Sequence, residues 1–167
     1  MKNIKRFAVA IILIITISSC TVSKEATSMK QQINGSWMLE TITTEGIKGK
    51  VTATVFNEAS FNCFVGSSWS FISSNSLGTY HINASGTECS SLTRQIRWSI
   101  YEPKGEAKQF QFKKLDDKNK SIDNNEGFRL EIALLSATNM QLKSHITFEG
   151  KPAAYIYNFV KNKSIKS

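Results

Sequence analysis

The sequence is poor in the residues and motifs that mark most metal-binding and catalytic proteins. It has only two histidines, three cysteines and two prolines among its 167 residues. No HExxH, GxSxG, P-loop or dinucleotide-binding motif occurs, and neither Cys63 nor Cys89 belongs to a CxxC pair. We therefore expect no metal, no cofactor and no enzymatic activity.

The sequence also lacks an apolar run long enough to span a membrane. Its N-terminus instead has charged residues followed by a short apolar run, which is typical of a secretory signal. The charged opening MKNIKR precedes eleven uncharged residues, FAVAIILIITI, whereas a membrane-spanning helix needs about 20. The following Ile17-Ser18-Ser19-Cys20 resembles the lipobox of bacterial lipoproteins, which are cut before the cysteine and acylated on it. The resemblance implies a signal peptide over residues 1–19 and a lipid on Cys20. An ordinary signal peptide and a buried N-terminal strand are the alternatives.

A lipid on Cys20 would determine where the protein works. Each buried methylene contributes about 0.8 kcal/mol, so several acyl chains hold a protein on a membrane. In some bacterial lipoproteins, acidic residues just after the cysteine direct the protein to the cell surface, and Thr21–Glu25 contains only one such residue. We expect an exported protein, anchored to the outer membrane and facing the periplasm, with residues 20–33 as a flexible tether.

The remaining chain is modestly basic. Residues 1–19 contain three of the 21 basic residues and none of the 13 acidic ones, which leaves 148 residues with a net charge of +5. That length suits a single domain, which we place at 34–162, before a basic tail at 163–167. Because the other basic residues are scattered, we expect no binding to nucleic acid. We expect a monomer.

Cys63 and Cys89 form an even pair in a compartment that would be oxidising, so a disulfide between them is predicted. Two free buried thiols are the alternative. The bond would restrict the unfolded chain by about 3 to 4 kcal/mol on the loop-entropy model.

The pattern of the chain after residue 34 is that of β-structure. Apolar and polar residues alternate, β-branched and aromatic residues are frequent, and Gly, Asn, Ser and Asp separate the runs. About ten strand-like runs occur, at 36–44, 50–56, 60–65, 68–73, 78–83, 93–101, 107–115, 127–135, 140–148 and 153–160. Both prolines, Pro103 and Pro152, lie between runs. His81 and His145 occupy positions that alternation points outward, so we expect them at the surface.

The register of one hairpin follows from the pattern. Setting Ile132 opposite Leu142 pairs Glu131 with Lys143 on the other face, which joins opposite charges. The same register sets Leu134 opposite Met140 and Phe128 opposite Ile146. Many sequential strands with one apolar face must pack against a second sheet or close on themselves. The prediction is an all-β, antiparallel barrel or sandwich of eight to ten strands.

The start of the first run adds a resemblance to this pattern. Asn34-Gly35-Ser36-Trp37 is similar to the G-x-W opening of lipocalins and of the lipocalin-like lipoproteins of Bacteroidetes. The stretches at 61–71, 77–82, 96–100 and 112–114, and the closing TFEGKPAAYIYNF, also resemble that bacterial group. The resemblance implies an eight-to-ten-stranded calycin barrel whose closed end is plugged by Gly35 and Trp37, beneath a basic residue, for which Lys161 and Arg129 are the candidates.

Lipocalins bind small apolar molecules inside the barrel, and alternation points an aromatic-rich set inward. The candidate ligand-binding residues are Trp69, Phe71, Tyr80, Trp98, Phe110, Phe112, Leu130 and Ile132. Such a set lines a pocket or fills the barrel with side chains, because a small barrel holds one or the other. Two hypotheses result: a lipid-anchored carrier of a small hydrophobic ligand, or an accessory lipoprotein with a packed barrel that contacts an envelope protein.

Overall fold

The structure, a computed structural model, describes residues 23–49, 51–85 and 87–162. Eight strands form a closed antiparallel barrel in the order β1-β10-β9-β8-β7-β6-β5-β4, and β2 pairs with β3 in a separate sheet. The predicted all-β antiparallel barrel is confirmed. The elements are α1 (Lys24–Ile33), β1 (Gly35–Glu45), β2 (Thr54–Val55), β3 (Ala59–Ser60), α2 (Phe61–Phe64), β4 (Ser68–Ile72), β5 (Leu77–Ile82), β6 (Leu92–Tyr101), β7 (Gln109–Leu115), β8 (Phe128–Leu135), β9 (Asn139–Phe148) and β10 (Lys151–Lys161).

The barrel is a meander that β1 closes. Strands β4 to β10 pair with their neighbours in chain order, and β1 lies between β10 and β4. Eight of the ten predicted runs are barrel strands. The runs at 50–56 and 60–65 were wrongly predicted as strands of the main sheet, because they supply the small β2–β3 sheet and α2. We call residues 51–67 the insert.

The predicted β8–β9 register is half correct. Ile132 pairs with Leu142 and Glu131 with Lys143, as predicted. The register then shifts between Ile132 and Leu134, so that Leu135, and not Leu134, pairs with Met140. A bulge inserts one residue and turns the following side chain to the other face, which leaves Leu134 exposed on the outside. The predicted pairing of Phe128 with Ile146 is also absent from this ladder.

Helix α1 closes the barrel at the end where β1 begins. Ser23 caps it by accepting a hydrogen bond from the backbone N–H of Ala26 at 2.9 Å, and Ile33 is fully buried. Glu25 pairs with Lys108 in the β6–β7 turn at 2.7 Å. The prediction of a flexible tether is therefore wrong for 24–33. Its apolar residues are too few to produce a clear pattern, and only the barrel end gives them a surface to cover.

The G-x-W residues lie beside this helix. Trp37 is fully buried and donates its indole N–H to the carbonyl oxygen of Ile33 at 2.7 Å. Lys161 Nζ lies 4.9 Å from the centre of the Trp37 ring and donates to the carbonyl oxygen of Gln32 at 2.7 Å. Gly35 has a φ of +112°, which favours glycine. Of the two candidates for the basic partner of Trp37, the structure therefore has Lys161.

The other predictions about chain organisation have separate outcomes. Pro152 is the second residue of β10 and not a residue between strands. A missing amide donor is tolerated near the start of a strand. The signal peptide, Cys20 and the tail at 163–167 lie outside the described residues. Within the described part of the chain, no helix combines the length and the apolar character needed to cross a bilayer.

Candidate functional site

The barrel interior is packed with aromatic rings. Seven of the eight predicted ligand-binding residues are buried there: Trp69, Phe71, Tyr80, Trp98, Phe110, Phe112 and Leu130. Ile132 is partly buried and packs against the same core. Their rings contact one another, as in the stacked pair Trp98 and Phe110 with centroids 5.7 Å apart. Alternation thus places the set correctly, and its side chains fill the interior from the α1 end, where Trp98 and Phe110 lie, to the rings of Trp69 and Phe112 beside the insert.

The space beside Trp69 and Phe112 is filled by Phe56, at the tip of the β2–β3 hairpin. Its ring is surrounded by five aromatic rings whose centroids lie 5.0 to 6.1 Å from its own. These rings belong to Phe64, Trp69, Phe112, Phe128 and Tyr157. The insert therefore closes the end of the barrel opposite α1 and occupies the space in which an apolar ligand would lie.

The hairpin tip has an unusual backbone. Phe56 and Asn57 have φ values of +52° and +51°, in the left-handed region. Asparagine tolerates this region, whereas for a bulky residue such as phenylalanine it costs about 1 to 3 kcal/mol and is a rare observation. The burial of the Phe56 ring offsets this cost. The hairpin itself has only two pairs, Thr54 with Ser60 and Val55 with Ala59, so few backbone bonds fix it in place.

A charged cluster fastens the hairpin to the barrel. Glu58 accepts two hydrogen bonds from Arg94, at 2.7 and 3.1 Å, and one from the Tyr80 hydroxyl at 2.6 Å. Lys114 Nζ lies 3.3 Å from the same carboxylate. Burial alone would raise the pKa of Glu58, but the bonds from Arg94 and Tyr80 and the charge of Lys114 keep it below its ordinary value. We call these four residues the Glu58 cluster.

Lys114 is the most buried charge of the cluster, with 2 % of its side chain exposed. It also lies 3.4 Å from Asp123 and donates to the carbonyl oxygen of Asn57 at 3.3 Å. Burial and the Glu58 carboxylate raise the pKa of Tyr80, which keeps its hydroxyl protonated as a donor. A buried lysine is costly unless it is paired, and Glu58 of the insert compensates the charge of Lys114 together with Asp123.

The sequence contains a signal for this cluster that our interpretation missed. Lys114 has the same parity as Phe110 and Phe112, and Arg94 the same parity as Ile96 and Trp98. Alternation therefore points two cations inward. Inward cations need carboxylates beside them, and the insert supplies Glu58, which pairs with both Arg94 and Lys114. Phe56 has no comparable signal, because an aromatic residue at the end of an apolar run is typical of any strand.

A disulfide provides a second attachment. Cys63 in α2 is bonded to Cys89 in the β5–β6 loop, with Cα atoms 5.3 Å apart. The predicted pairing is confirmed. Phe64, one residue further, makes an edge-to-face contact with Phe56 at 5.4 Å. The bond therefore tethers the base of the insert to the barrel rim, while the hairpin tip depends on packing and on the Glu58 cluster.

A small cleft opens beside the hairpin. Its volume is about 130 Å³, and its lining includes Val55, Phe56, Leu130, Ser144 and Tyr157. Strands β8 and β9 are paired only from Glu131 onward, so the wall of the barrel is open next to the ring of Phe56. The cleft is the point where the filled interior meets the outside.

These features define an eight-stranded antiparallel barrel with an aromatic interior that is closed by a helix at one end and by an insert at the other. No protein family model matches the chain, and no curated protein matches it. Among solved structures, a lipocalin-like protein from Bacteroides uniformis aligns at 13% identity and a TM-score of 0.45, over 78% of this chain and 99% of the other.

Proposed function

We propose that this protein is a lipid-anchored envelope protein that binds a small hydrophobic ligand in the barrel, in exchange for Phe56. The observation that supports the proposal is the environment of Phe56, whose phenyl ring lies among five aromatic rings. A site built to surround one apolar ring suits a ligand of the same chemistry.

Several features of the hairpin favour its displacement from the barrel by a ligand. Its two strands belong to a sheet separate from the barrel, and its tip has a left-handed backbone at Phe56. The cleft beside Phe56 gives an apolar molecule a first point of contact. Tyr155 and Tyr157 lie at this cleft and would provide its aromatic wall. When the hairpin swings out, the disulfide at Cys63 keeps the insert attached.

Titration with a neutral apolar fluorophore tests the proposal. N-phenyl-1-naphthylamine has no charge, so it reports an apolar site without attraction to surface cations. We expect saturable binding with one probe per protein, and native mass spectrometry of the isolated protein should show a co-purified apolar molecule. A fluorescence increase that never saturates, together with a ligand-free mass, would contradict the carrier function.

The packed interior favours a second candidate, an accessory lipoprotein that contacts an envelope protein through its outer surface. Phe56 is only 8 % exposed, so the barrel in this conformation is full. Crosslinking in cells distinguishes the two functions. A single stoichiometric protein partner, recovered without a bound small molecule, would favour the accessory function.

The anchor is a separate part of the proposal and is supported by the lipobox-like sequence that ends at Cys20. The Cys20→Ser variant removes the thiol that would be acylated. We expect the wild-type protein in the outer-membrane fraction and the variant in the periplasmic fraction. If the wild type and the variant were distributed equally between the two fractions, the lipid anchor would be disproved. The proposed ligand site would not be affected by this result.

A further inference from the structure

A polar groove lies on the outer face of the barrel, next to the cleft beside Phe56, with which it shares Phe128 and Arg129. It has a volume of about 760 Å³ and crosses β6, β7 and the start of β8, where the 116–127 loop forms one wall. Arg97, Lys113 and Arg129 line it, and none of the described lining residues is acidic. All three cations are neighbours of buried residues along their strands, so they face away from the interior.

The pairing of these strands brings the cations together. Arg97 on β6 is directly opposite Lys113 on β7, and like charges in such a pair repel each other. Gln111, two residues before Lys113, is opposite both Ser99 on β6 and Arg129 on β8. The third cation therefore lies one strand further along the same face. Neighbouring strands are about 4.8 Å apart, so the backbones of Arg97 and Arg129 are about 10 Å apart, and their long side chains both line the groove between them.

Ion pairs do not explain this arrangement. Within residues 23–49, 51–85 and 87–162, no carboxylate lies within 4.0 Å of the nitrogen atoms of Arg97, Lys113 or Arg129. The nearby Glu131 is already 2.7 Å from His145. The groove thus concentrates three positive charges and brings no negative group to them. Like charges placed together without a carboxylate lower stability, and such locally unfavourable arrangements are often found at functional sites.

The arginine on β8 is oriented in advance. The guanidinium carbon of Arg129 lies 4.3 Å from the centre of the Tyr101 ring, and its Nε donates to Gln111 Oε1 at 3.2 Å. Gln111 in turn donates to Ser99 at 2.8 Å. Stacking and one hydrogen bond fix the plane of the guanidinium, and both terminal nitrogens have no partner among the described residues. An arginine fixed in this way is suited to bidentate binding of an oxyanion.

The loop wall adds neutral polar groups. Lys113 donates to Asn125 Oδ1 at 2.7 Å, which places the lysine at the loop side of the groove. The Asn119 side chain also lines the groove and supplies an amide donor. Three cations and a neutral donor around one depression suit an anion with several acceptor oxygens and more than one negative charge.

We propose that this groove binds a phosphate group, carried by a soluble phosphate ester or by a lipid headgroup. The Arg97–Lys113 pair neutralises its charge, and the fixed Arg129 donates two hydrogen bonds to its oxygens. This site lies on the outer face of the β6–β7 wall, where Arg97 and Lys113 alternate with buried residues of the same strands. It adjoins the cleft beside Phe56, because Phe128 and Arg129 line both, but Arg97 and Lys113 line the groove alone.

Calorimetric titration with inorganic phosphate tests the proposal. The full chain with Cys20→Ser is titrated with sodium phosphate against sodium chloride of equal ionic strength. We expect saturable binding, an at least about tenfold weaker affinity for Arg97→Gln with Arg129→Gln, since each charged hydrogen bond is lost, and backbone NMR shifts at 97, 111, 113 and 129. Arg97 and Arg129 are exposed, so the double variant should keep the fold, as its circular dichroism spectrum would show.

The control is the double variant Lys24→Gln with Lys151→Gln, which removes the same charge from exposed positions outside the groove. It should bind phosphate as the parent does. Absence of saturable phosphate binding, or an equal loss in this control, would overturn the site. Vesicles of phosphatidylglycerol, compared with phosphatidylcholine, then distinguish the two sources. Displacement of bound phosphate by the anionic vesicles assigns a headgroup, and its retention assigns a soluble ester.

Discussion

The ring of Phe56 stacks on the ring of Tyr157 with the centroids 5.2 Å apart. One residue belongs to a short hairpin outside the barrel sheet, and the other to a barrel strand, β10. This contact joins the insert to the wall at the level where a ligand would lie. Ligand binding in the barrel therefore requires that the hairpin is not a permanent part of the core and that a ligand can replace Phe56.

Truncation of the hairpin tip should open the interior. Phe56→Ala removes a ring buried among aromatic side chains, and such a loss costs about 3 kcal/mol of unfolding free energy. We expect this destabilisation in urea unfolding, together with stronger binding of N-phenyl-1-naphthylamine, because the competing ring is gone. Phe71→Ala is the matched control, since Phe71 is also buried but packs against Trp98 and Phe110, away from the insert. Equal probe binding by both variants would indicate general loosening.

Neutralisation of Glu58 should release the hairpin. Glu58 is 11 % exposed and pairs with Arg94 and Lys114, so Glu58→Gln leaves Arg94 without its carboxylate and leaves the buried Lys114 with Asp123 alone. Breaking a buried pair in this way costs about 3 kcal/mol. Glu45→Gln removes the same charge from an exposed pair, in which Glu45 is 60 % exposed and 2.7 Å from Lys143, and should cost less than about 1 kcal/mol. Thermal unfolding of the two variants measures the difference, and equal losses would contradict the role of the Glu58 cluster.

The same carboxylate should make stability depend on pH. Hydrogen bonds from Arg94 and Tyr80 keep the folded-state pKa of Glu58 below its ordinary value of 4.5. A lowered pKa contributes stability that is fully present above about pH 4.5 and is lost as the pH falls through the folded-state pKa. The difference in melting temperature between the wild type and Glu58→Gln should therefore shrink as the pH falls below 4.5. A difference that stays constant from pH 7 to pH 3 would show that Glu58 is not held in its charged form.

Loss of the disulfide should weaken the attachment of the insert. The bond joins residues 26 positions apart, and its removal by Cys63→Ala with Cys89→Ala should cost about 3 to 4 kcal/mol. Chemical unfolding of the oxidised wild type and of the double variant measures this loss. Dithiothreitol should destabilise the wild type and leave the double variant unchanged, whereas an effect on both would mean that the reductant acts elsewhere.

The barrel could be predicted from the sequence because it results from alternation, which each strand shows by itself. Alternation along β6 and β7 places Trp98, Phe110 and Phe112 inward wherever the neighbouring strands lie, and closure follows from the need to bury that face. The disulfide was also predictable, since only two cysteines remain after Cys20. The G-x-W opening indicated the closed end, which Trp37 and Lys161 form.

The insert could not be predicted, because its conformation depends on contacts with the whole barrel and not on its own sequence pattern. The run at 50–56 has the alternation of a barrel strand, and nothing in it shows that Phe56 ends in a left-handed turn inside the barrel. The inward parity of Arg94 and Lys114 was the one readable sign that a carboxylate must enter. Helix α1 was missed for a similar reason: its mostly polar sequence gains order from the barrel end on which Ile33 packs.

Hydrogen exchange of the hairpin amides during ligand binding shows whether a ligand replaces Phe56 in the barrel. The protein is saturated with N-phenyl-1-naphthylamine, and exchange at Thr54–Ser60 is compared with exchange in the barrel strands. The account predicts faster exchange in the hairpin, because the probe takes the place of Phe56, and equal or slower exchange in the strands. Saturable binding with the hairpin amides as protected as before would contradict it, since ligand and hairpin would then occupy different places.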